Sequence, residues 1–419
     1  MGKASLVYVA GLFVMLAYSF MNLSATSTSS MDNYTSYFGR SMAHNIAITG
    51  ANIGTQNVLY NSSYNTNLLG QTYAGGSFDM YVDRPAGDTV WIRSYSQFAT
   101  AGTTIRDTVI ACLRFTSFGK YGWFTDAEQN GYSGCPYYGA SDWKITGDSV
   151  FGYAHTNLHF NLAGAPYFND KVTATTAPTL MSLNGVQAPI YKAGYQWGIT
   201  VTRPTSNLTR ISSTASMGGD AISSGDVSLN FMNDKVAVKR PPTTGALEND
   251  TVSLATLAPN GVIAVTNGDL HIKGTYKGKL TVASTSGSVW IDGSGITASD
   301  NPATDANSSD MMGIVSNKSV YISKDLTRNS STVVNIQAAV YCQNGELTAE
   351  SFWTIPKSGR VVLYGGVTQA TAGSLGVFGS NGITNGFFYT IRHDQRFNFV
   401  TPPAFPISSK YELVTWWEN

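Results

Sequence analysis

From Ala4 to Leu23 the chain carries no charged side chain, and an apolar run of this length has few places to go. About twenty residues is what a single helix needs to cross the hydrocarbon core of a bilayer. The segment is therefore expected to lie in lipid or among other helices, with Leu6, Val9, Phe13, Leu16 and Phe20 as its packing positions. Lys3 precedes it, which predicts a cytoplasmic N-terminus before any assembly. A cleaved signal peptide would have a shorter apolar core, then a small-x-small site and a loop. Here the pattern continues as helix: Met31, Tyr34, Phe38, Met42 and Ile46 keep helical spacing, and the first proline is Pro85. One helix is expected to run to about Val58, roughly 55 residues and ~80 Å. Its first half would sit in lipid or a filament core and its second half would carry the body.

The start of the chain, Gly2-Lys3-Ala4-Ser5-Leu6-Val7, and the small-residue continuation Asn45-Ile46-Ala47 through Gly50-Ala51-Asn52-Ile53-Gly54 resemble the type IV pilin superfamily, in particular the PilX-like minor pilins. The resemblance implies prepilin-type processing between Gly2 and Lys3, membrane insertion before assembly, and copies of itself or other pilins as partners through the helix. Pilins that pack inside a filament usually carry Glu as the fifth mature residue. Here that position is Val7, or Ser5 counted from Met1, a departure that some minor, tip-type pilins share. A plain membrane anchor is the alternative.

Charged residues make up 12% of the 419 residues, against roughly 25% in average soluble domains, and glycine (42) and tyrosine (23) are abundant. This is the composition of secreted β-rich surface proteins. The 26 basic and 26 acidic residues cancel, and no basic block offers a nucleic-acid footprint. Cys112, Cys135 and Cys342 form no Cys-x-x-Cys motif. In an oxidising compartment Cys112 and Cys135 could form a disulfide across a short loop; three buried thiols is the other reading.

Alternating runs at Phe78–Val82, Thr89–Tyr95 and Asp107–Phe115 predict half-buried strands beside the exit of the helix. The stretch Gly152-Tyr153-Ala154-His155-Thr156-Asn157, followed by Gly164-Ala165-Pro166-Tyr167-Phe168, is similar to a signature of bacterial proteins that join a PilX-like N-terminus to a large surface body. His155 and His159 would share one face of a strand, but no third ligand stands at metal spacing. A hydrogen-bonded structural histidine is expected. His44, His271 and His393 stand alone in the sequence.

An imperfect repeat fills roughly residues 258–376. A small turn precedes alternating apolar residues at Asn267–Gly274, Ser286–Gly293, Asn317–Ser323, Asn344–Glu350 and Ser358–Gly365. Each turn follows a short apolar strand, such as Val262–Val265 or Gly313–Val315. Two strands per unit, joined where Asn or Gly can take positive φ, predict the rungs of a parallel β-helix. The uneven spacing argues against propeller blades, and Thr297–Asp310 would be an insertion between rungs.

The expected fold is α+β and mostly β, divided into a transmembrane or filament-core helix (1–58), a β-rich middle domain (59–255), a parallel β-helix (256–378) and an aromatic, proline-rich capping tail (379–419). Such solenoids host polysaccharide lyases and hydrolases, whose sites gather carboxylates on one face. Here the outward pairs are His271 and Lys273, Trp290 and Asp292, Tyr321 and Ser323, Thr348 and Glu350, Val362 and Tyr364, which make no carboxylate cluster. Asp300, Asp305 and Asp310 are calcium candidates, a solvated loop being the alternative. No Gly-x-Ser-x-Gly, His-Glu-x-x-His, P-loop or dinucleotide fingerprint occurs. The expectation is a non-enzymatic structural protein without a cofactor, on the bacterial surface or in an extracellular filament. A membrane-anchored adhesin contacting glycans or cells through its outward aromatics is the alternative, with a lyase or hydrolase behind it.

Overall fold

The computed structural model describes residues 2–86, 89–100, 102–203, 208–223, 225–241, 248–305 and 307–418. A long N-terminal helix is followed by a large β-rich region. The chain divides into two compact units, residues 1–115 with 409–419, and residues 116–408.

In the first unit α1 runs unbroken over Gly2–Tyr60, two residues past the expected end. Four strands follow: β1 (Leu68–Tyr73), β2 (Gly76–Ala86), β3 (Thr89–Thr100) and β4 (Thr103–Ser117). They pair antiparallel in sequence order, and the C-terminal strand Ile407–Glu418 lies on the far side of β4. The β1–β2 turn is Ala74–Gly75, both with positive φ (+48° and +83°), the geometry that suits the twist of a two-residue hairpin.

The second half of α1 packs on this sheet through its small residues. Ala43, Ala47 and Ala51 are fully buried with Ile46 and Val58. Met31, Tyr34 and Phe38, which the periodicity favours for packing, are exposed. Met31 and Tyr34 precede Gly39, where burial of the described α1 residues begins, and farther along the helix lies close to the sheet. A Cβ at Gly50 would stand 2.3 Å from Ser94 Oγ, and one at Gly54 would stand 2.7 Å from Ile92 Cγ2, so the helix sits closer to β2 and β3 than bulky side chains allow. Gly50→Leu is expected to destabilise this unit by about 1–3 kcal/mol through overpacking. Gly11→Leu, whose Cβ meets nothing within 4 Å, is expected to leave the urea midpoint unchanged.

The second unit is dominated by parallel ladders. One contains Val227–Asn233, Leu270–Tyr276, Val289–Ile291, Val320–Ile322 and Leu347–Ala349. Its register aligns Leu229, Ile272, Ile291, Ile322 and Ala349 as one inward column, all buried. A second ladder aligns Ile263, Val282, Ile314, Val340 and Val367, then continues into Trp123, Ala154 and Val172. A third aligns Ile296, Ile336, Leu363 and Ile391, then Val150 and Phe168. A smaller parallel sheet joins Trp143–Ile145, Asn161–Ala163 and Thr179–Met181.

The stacking order differs from the chain order. Strands between residues 123 and 197 lie beyond those of residues 357–393, so part of the expected middle domain extends the C-terminal ladders, while β1–β4 belong with α1. Boundaries at 58, 255 and 378 therefore do not mark the compact units. Nor are residues 379–419 a cap: Gly382–His393 is a ladder strand, and Ile407–Glu418 joins the sheet of the first unit. The reason is the alternation in Phe387, Tyr389 and Ile391, all buried, which suits a strand with one face in a core. Ser358–Gly365, the fifth repeat copy, also leaves the expected column. Its strand pairs with Val333–Cys342 rather than with Leu347–Ala349, which uses Val361 and Leu363 in the third ladder.

Candidate functional site

Every described side chain from Leu6 to Tyr34 on α1 is exposed. Leu6, Val9, Phe13, Leu16 and Phe20, spaced alternately three and four apart, form one stripe; Leu6 is 72% and Phe13 67% exposed. The apolar surface is not confined to that stripe, since Tyr8, Val14, Met15, Tyr18 and Met21 are exposed as well. The helix is long and apolar enough to cross a membrane. A helix apolar on all sides needs lipid or other helices around it. Gly2 and Lys3 form its first turn; the side chain of Lys3 lies outside the described residues.

Lower on α1, His44 is not isolated. Its Nδ1 lies 2.8 Å from Asp107 Oδ2 and its Nε2 lies 3.3 Å from Glu418 Oε2. The imidazole thus ties the helix to β4 and to the C-terminal strand.

In the second unit the outward positions of the first ladder form an aromatic column. Register places His271 beside Trp290 and Trp290 beside Tyr321. The His271 and Trp290 rings are 5.6 Å apart and 7° from parallel, and those of Trp290 and Tyr321 are 4.5 Å apart. Tyr132 lies 5.1 Å from Tyr321 and 5.5 Å from Trp353, extending the aromatic surface with residues from elsewhere in the chain. Beside His271 is a shallow groove of about 310 Å³ lined by Asn230, Lys239, Lys273 and Asp292 among others.

Asp292 organises this groove. It accepts hydrogen bonds from Ser323 Oγ and from His271 Nδ1, 3.2 Å away. The bond to Asp292 raises the His271 imidazole above its ordinary value, against the opposing effect of burial. Burial pushes the Tyr321 phenol up to about 12, so it stays neutral and stacks as an uncharged ring. His271 is therefore expected to keep its proton above the ordinary pH of about 6.5, and Asp292→Asn to bring that titration down, both read from ¹⁵N chemical shifts of the ring. An Asp292→Asn protein whose His271 titrates as in the parent would contradict this.

Other candidate residues serve the fold. His155 lies on a short strand that ends at Thr156, so His159, beyond the following bend, does not share its face. His155 is fully buried, with Nδ1 2.8 Å from Thr173 Oγ1 and Nε2 3.0 Å from Asn157 Oδ1. Asn157 in turn donates to Asp126 and to the Val201 carbonyl, so this part of the Gly-x-x-His-Thr-Asn stretch joins neighbouring strands.

Asp310 is buried rather than solvated. Its two oxygens accept from the Gly278 and Asp300 amides at 2.7 and 2.8 Å, while Asp305 accepts from the Asn307 amide. Among the described residues no three His, Cys, Asp or Glu side chains converge to hold a metal. Cys112, Cys135 and Cys342 are free and buried. Cys112 sits within β4 and Cys135 in the other compact unit, and no bridge joins them in this structure.

The aromatic column was only half legible in the sequence. The outward positions follow from alternation, but partners in neighbouring rungs depend on register. Tyr132 and Trp353 carry no such signal, because loops bring them in. A buried group of Glu128, Asp142 and Lys144 is also unmarked, beyond the short alternation Asp142-Trp143-Lys144.

No family model matches the chain, and no curated protein matches it. Among solved structures it is similar to the competence-associated pilin ComZ from Thermus thermophilus, with 11% sequence identity, coverage of 90% of this chain and 97% of that chain, and a TM-score of 0.33.

Proposed function

We propose that this chain is a non-enzymatic, pilin-like subunit of a bacterial extracellular filament or of a pilus or pseudopilus assembly. In this reading α1 supplies assembly and the β-rich body is the exposed surface. The observation that carries it is the division within one continuous helix. The half that begins the chain is uncharged from Ala4 to Met31 and, from Leu6 on, exposed on every side, whereas the other half is packed on an antiparallel sheet. A membrane would hold the exposed half before assembly, and copies of this helix or those of other pilins would surround it afterwards. The PilX-like resemblance of the first residues agrees with a minor component. We read the parallel ladders as rungs of a β-helical solenoid that enlarges the displayed surface.

Electron cryo-microscopy of filaments sheared from the cell surface tests this reading. The expected result is density for α1 within the filament and for the β-rich body outside it. Absence of the chain from filaments, with all of it retained in the membrane fraction, would sink the proposal.

The aromatic column favours a second reading, a membrane-anchored carbohydrate-binding surface protein. Flat rings with polar groups beside them suit the apolar faces and hydroxyls of sugars. Binding of the β-rich body to a glycan array, lost in Trp290→Ala, would support it; an array without signal would remove it.

A further inference from the structure

Lys144 is 1% exposed and lies between two carboxylates in the interior of the second unit. Its Nζ donates to Glu128 Oε2 and to Asp142 Oδ2, each at 2.6 Å. The surroundings are aromatic: the Trp123 ring centre is 4.1 Å and that of Phe160 5.9 Å from Nζ, and Tyr389 stacks on Trp123. Glu128 is buried, and its other oxygen, Oε1, accepts from Thr125 Oγ1 and from Trp123 Nε1. Asp142 Oδ1 accepts from Ser374 Oγ at 2.9 Å, and Asp142 borders a cavity of about 250 Å³.

We propose that this is an autocatalytic cross-linking site, at which Lys144 and Glu128 condense to an isopeptide amide with Asp142 as the proton relay. The driving force is desolvation. One ammonium and two carboxylates away from water cost several kcal/mol per ion before pairing, and amide formation removes two of those charges together.

The step balances without an oxidant or a co-reactant. One ammonium proton crosses the hydrogen bond to Glu128 Oε2, leaving a neutral amine and a neutral carboxyl. The Nζ lone pair attacks Glu128 Cδ and the C–N bond forms. The developing negative charge on Oε1 falls where the Thr125 hydroxyl and the Trp123 indole already donate, the arrangement that stabilises such an oxyanion. Asp142 takes a second proton from nitrogen and passes it to Oε2. The C–Oε2 bond breaks, water leaves, and Asp142 is a carboxylate again. Two aspects of the geometry favour Glu128 as the acylated partner. Its remaining oxygen has two donors, and a link from Glu128 to Lys144 joins the bend after the strand Trp123–Ala127 to the strand Trp143–Ile145, whereas Asp142 is only two residues from Lys144.

The test is a peptide map of the full chain, unfolded and digested with chymotrypsin, which cuts between the two partners. The expected product is a two-chain peptide, Thr125–Tyr132 joined to Lys144–Phe151, lighter by about 18 Da than the two linear peptides together because one water is lost. In Lys144→Arg the guanidinium keeps a cation in place without acylating, and both regions should appear as linear peptides. Recovery of the parent chain's two peptides only in linear form, or a link mapped to Asp142, overturns the proposal. Because the parent chain supplies the primary readout, failure of a variant to fold does not affect the outcome.

Discussion

Replacing Phe13 by Lys is expected to shift the chain from the membrane or filament fraction into the soluble fraction by roughly two orders of magnitude. A cation at the centre of an apolar span costs about 2.5–3.5 kcal/mol, and the lost phenylalanine adds a few tenths. Each 1.4 kcal/mol is a factor of ten. A filament core lined by other helices would also leave the ammonium without a partner. The substitution should not disturb the folded body, because Phe13 is 67% exposed and stands 26 residues before Gly39, the first buried position among the described residues of α1. That separation is about 40 Å of helix. Fractionation of cells expressing the two proteins, with circular dichroism of the solubilised material as the folding control, checks this. Unchanged partitioning of a folded Phe13→Lys protein would mean that neither lipid nor other helices surround this half of α1.

Glu346→Gln is expected to stabilise the second unit at pH 8 by about 3 kcal/mol and to have little effect at pH 5. The Glu346 carboxyl is fully buried. Oε2 accepts from the Gly131 amide at 2.6 Å and from Thr371 Oγ1 at 2.8 Å, while Oε1 has no hydrogen-bond partner among the described residues. Burial pushes this carboxyl up to about 7, the two hydrogen bonds opposing it. The sign follows from proton binding. Between the ordinary carboxyl range and pH 7 the folded state holds a proton that the unfolded chain has released, so stability falls as pH rises. The contribution is fully present below about 4.5 and is lost as pH passes through 7. An acid held at about 7 instead of its usual 4.5 corresponds to about 3 kcal/mol at pH 8. Glutamine keeps one oxygen for Gly131 and Thr371 and never ionises. Asp148, also pushed up to about 7 by burial, is present in both proteins and cancels in the comparison. Urea unfolding at pH 5, 6, 7 and 8 is the measurement, and a stability difference that does not vary with pH would refute the assignment.

Two outward residues show how far alternation reaches. Trp290 and Tyr321 face outward by alternation because Val289, Ile291, Val320 and Ile322 flank them, and those four are buried. Alternation along a strand is a local property, so it reports a facing direction without reference to the rest of the chain. What lies beside a strand is different. Tyr321 meets Tyr132 through a loop almost two hundred residues earlier, and no periodicity encodes that encounter. The helix repeats the contrast. Its length could be read from an uncharged, proline-free run, but its packing face could not, because close approach to the sheet favoured Gly50, Ala51 and Gly54 over the larger apolar residues.

By itself the sequence determined that the first sixty residues form a helix whose beginning requires apolar surroundings, and that short strands with one buried face make up most of the remainder. These follow from hydrophobicity, the absence of helix breakers and side-chain period, all carried by near neighbours. Only the tertiary structure decided that the strands at residues 123–197 stack beyond those at 357–393, that the last strand returns to the sheet on α1, and that Glu128, Asp142 and Lys144 meet in a buried cluster. Parallel pairing joins segments far apart along the chain. Its register rests on the fit of whole apolar columns such as Ile314, Val340, Val367 and Trp123, a fit that exists only after those segments have come together.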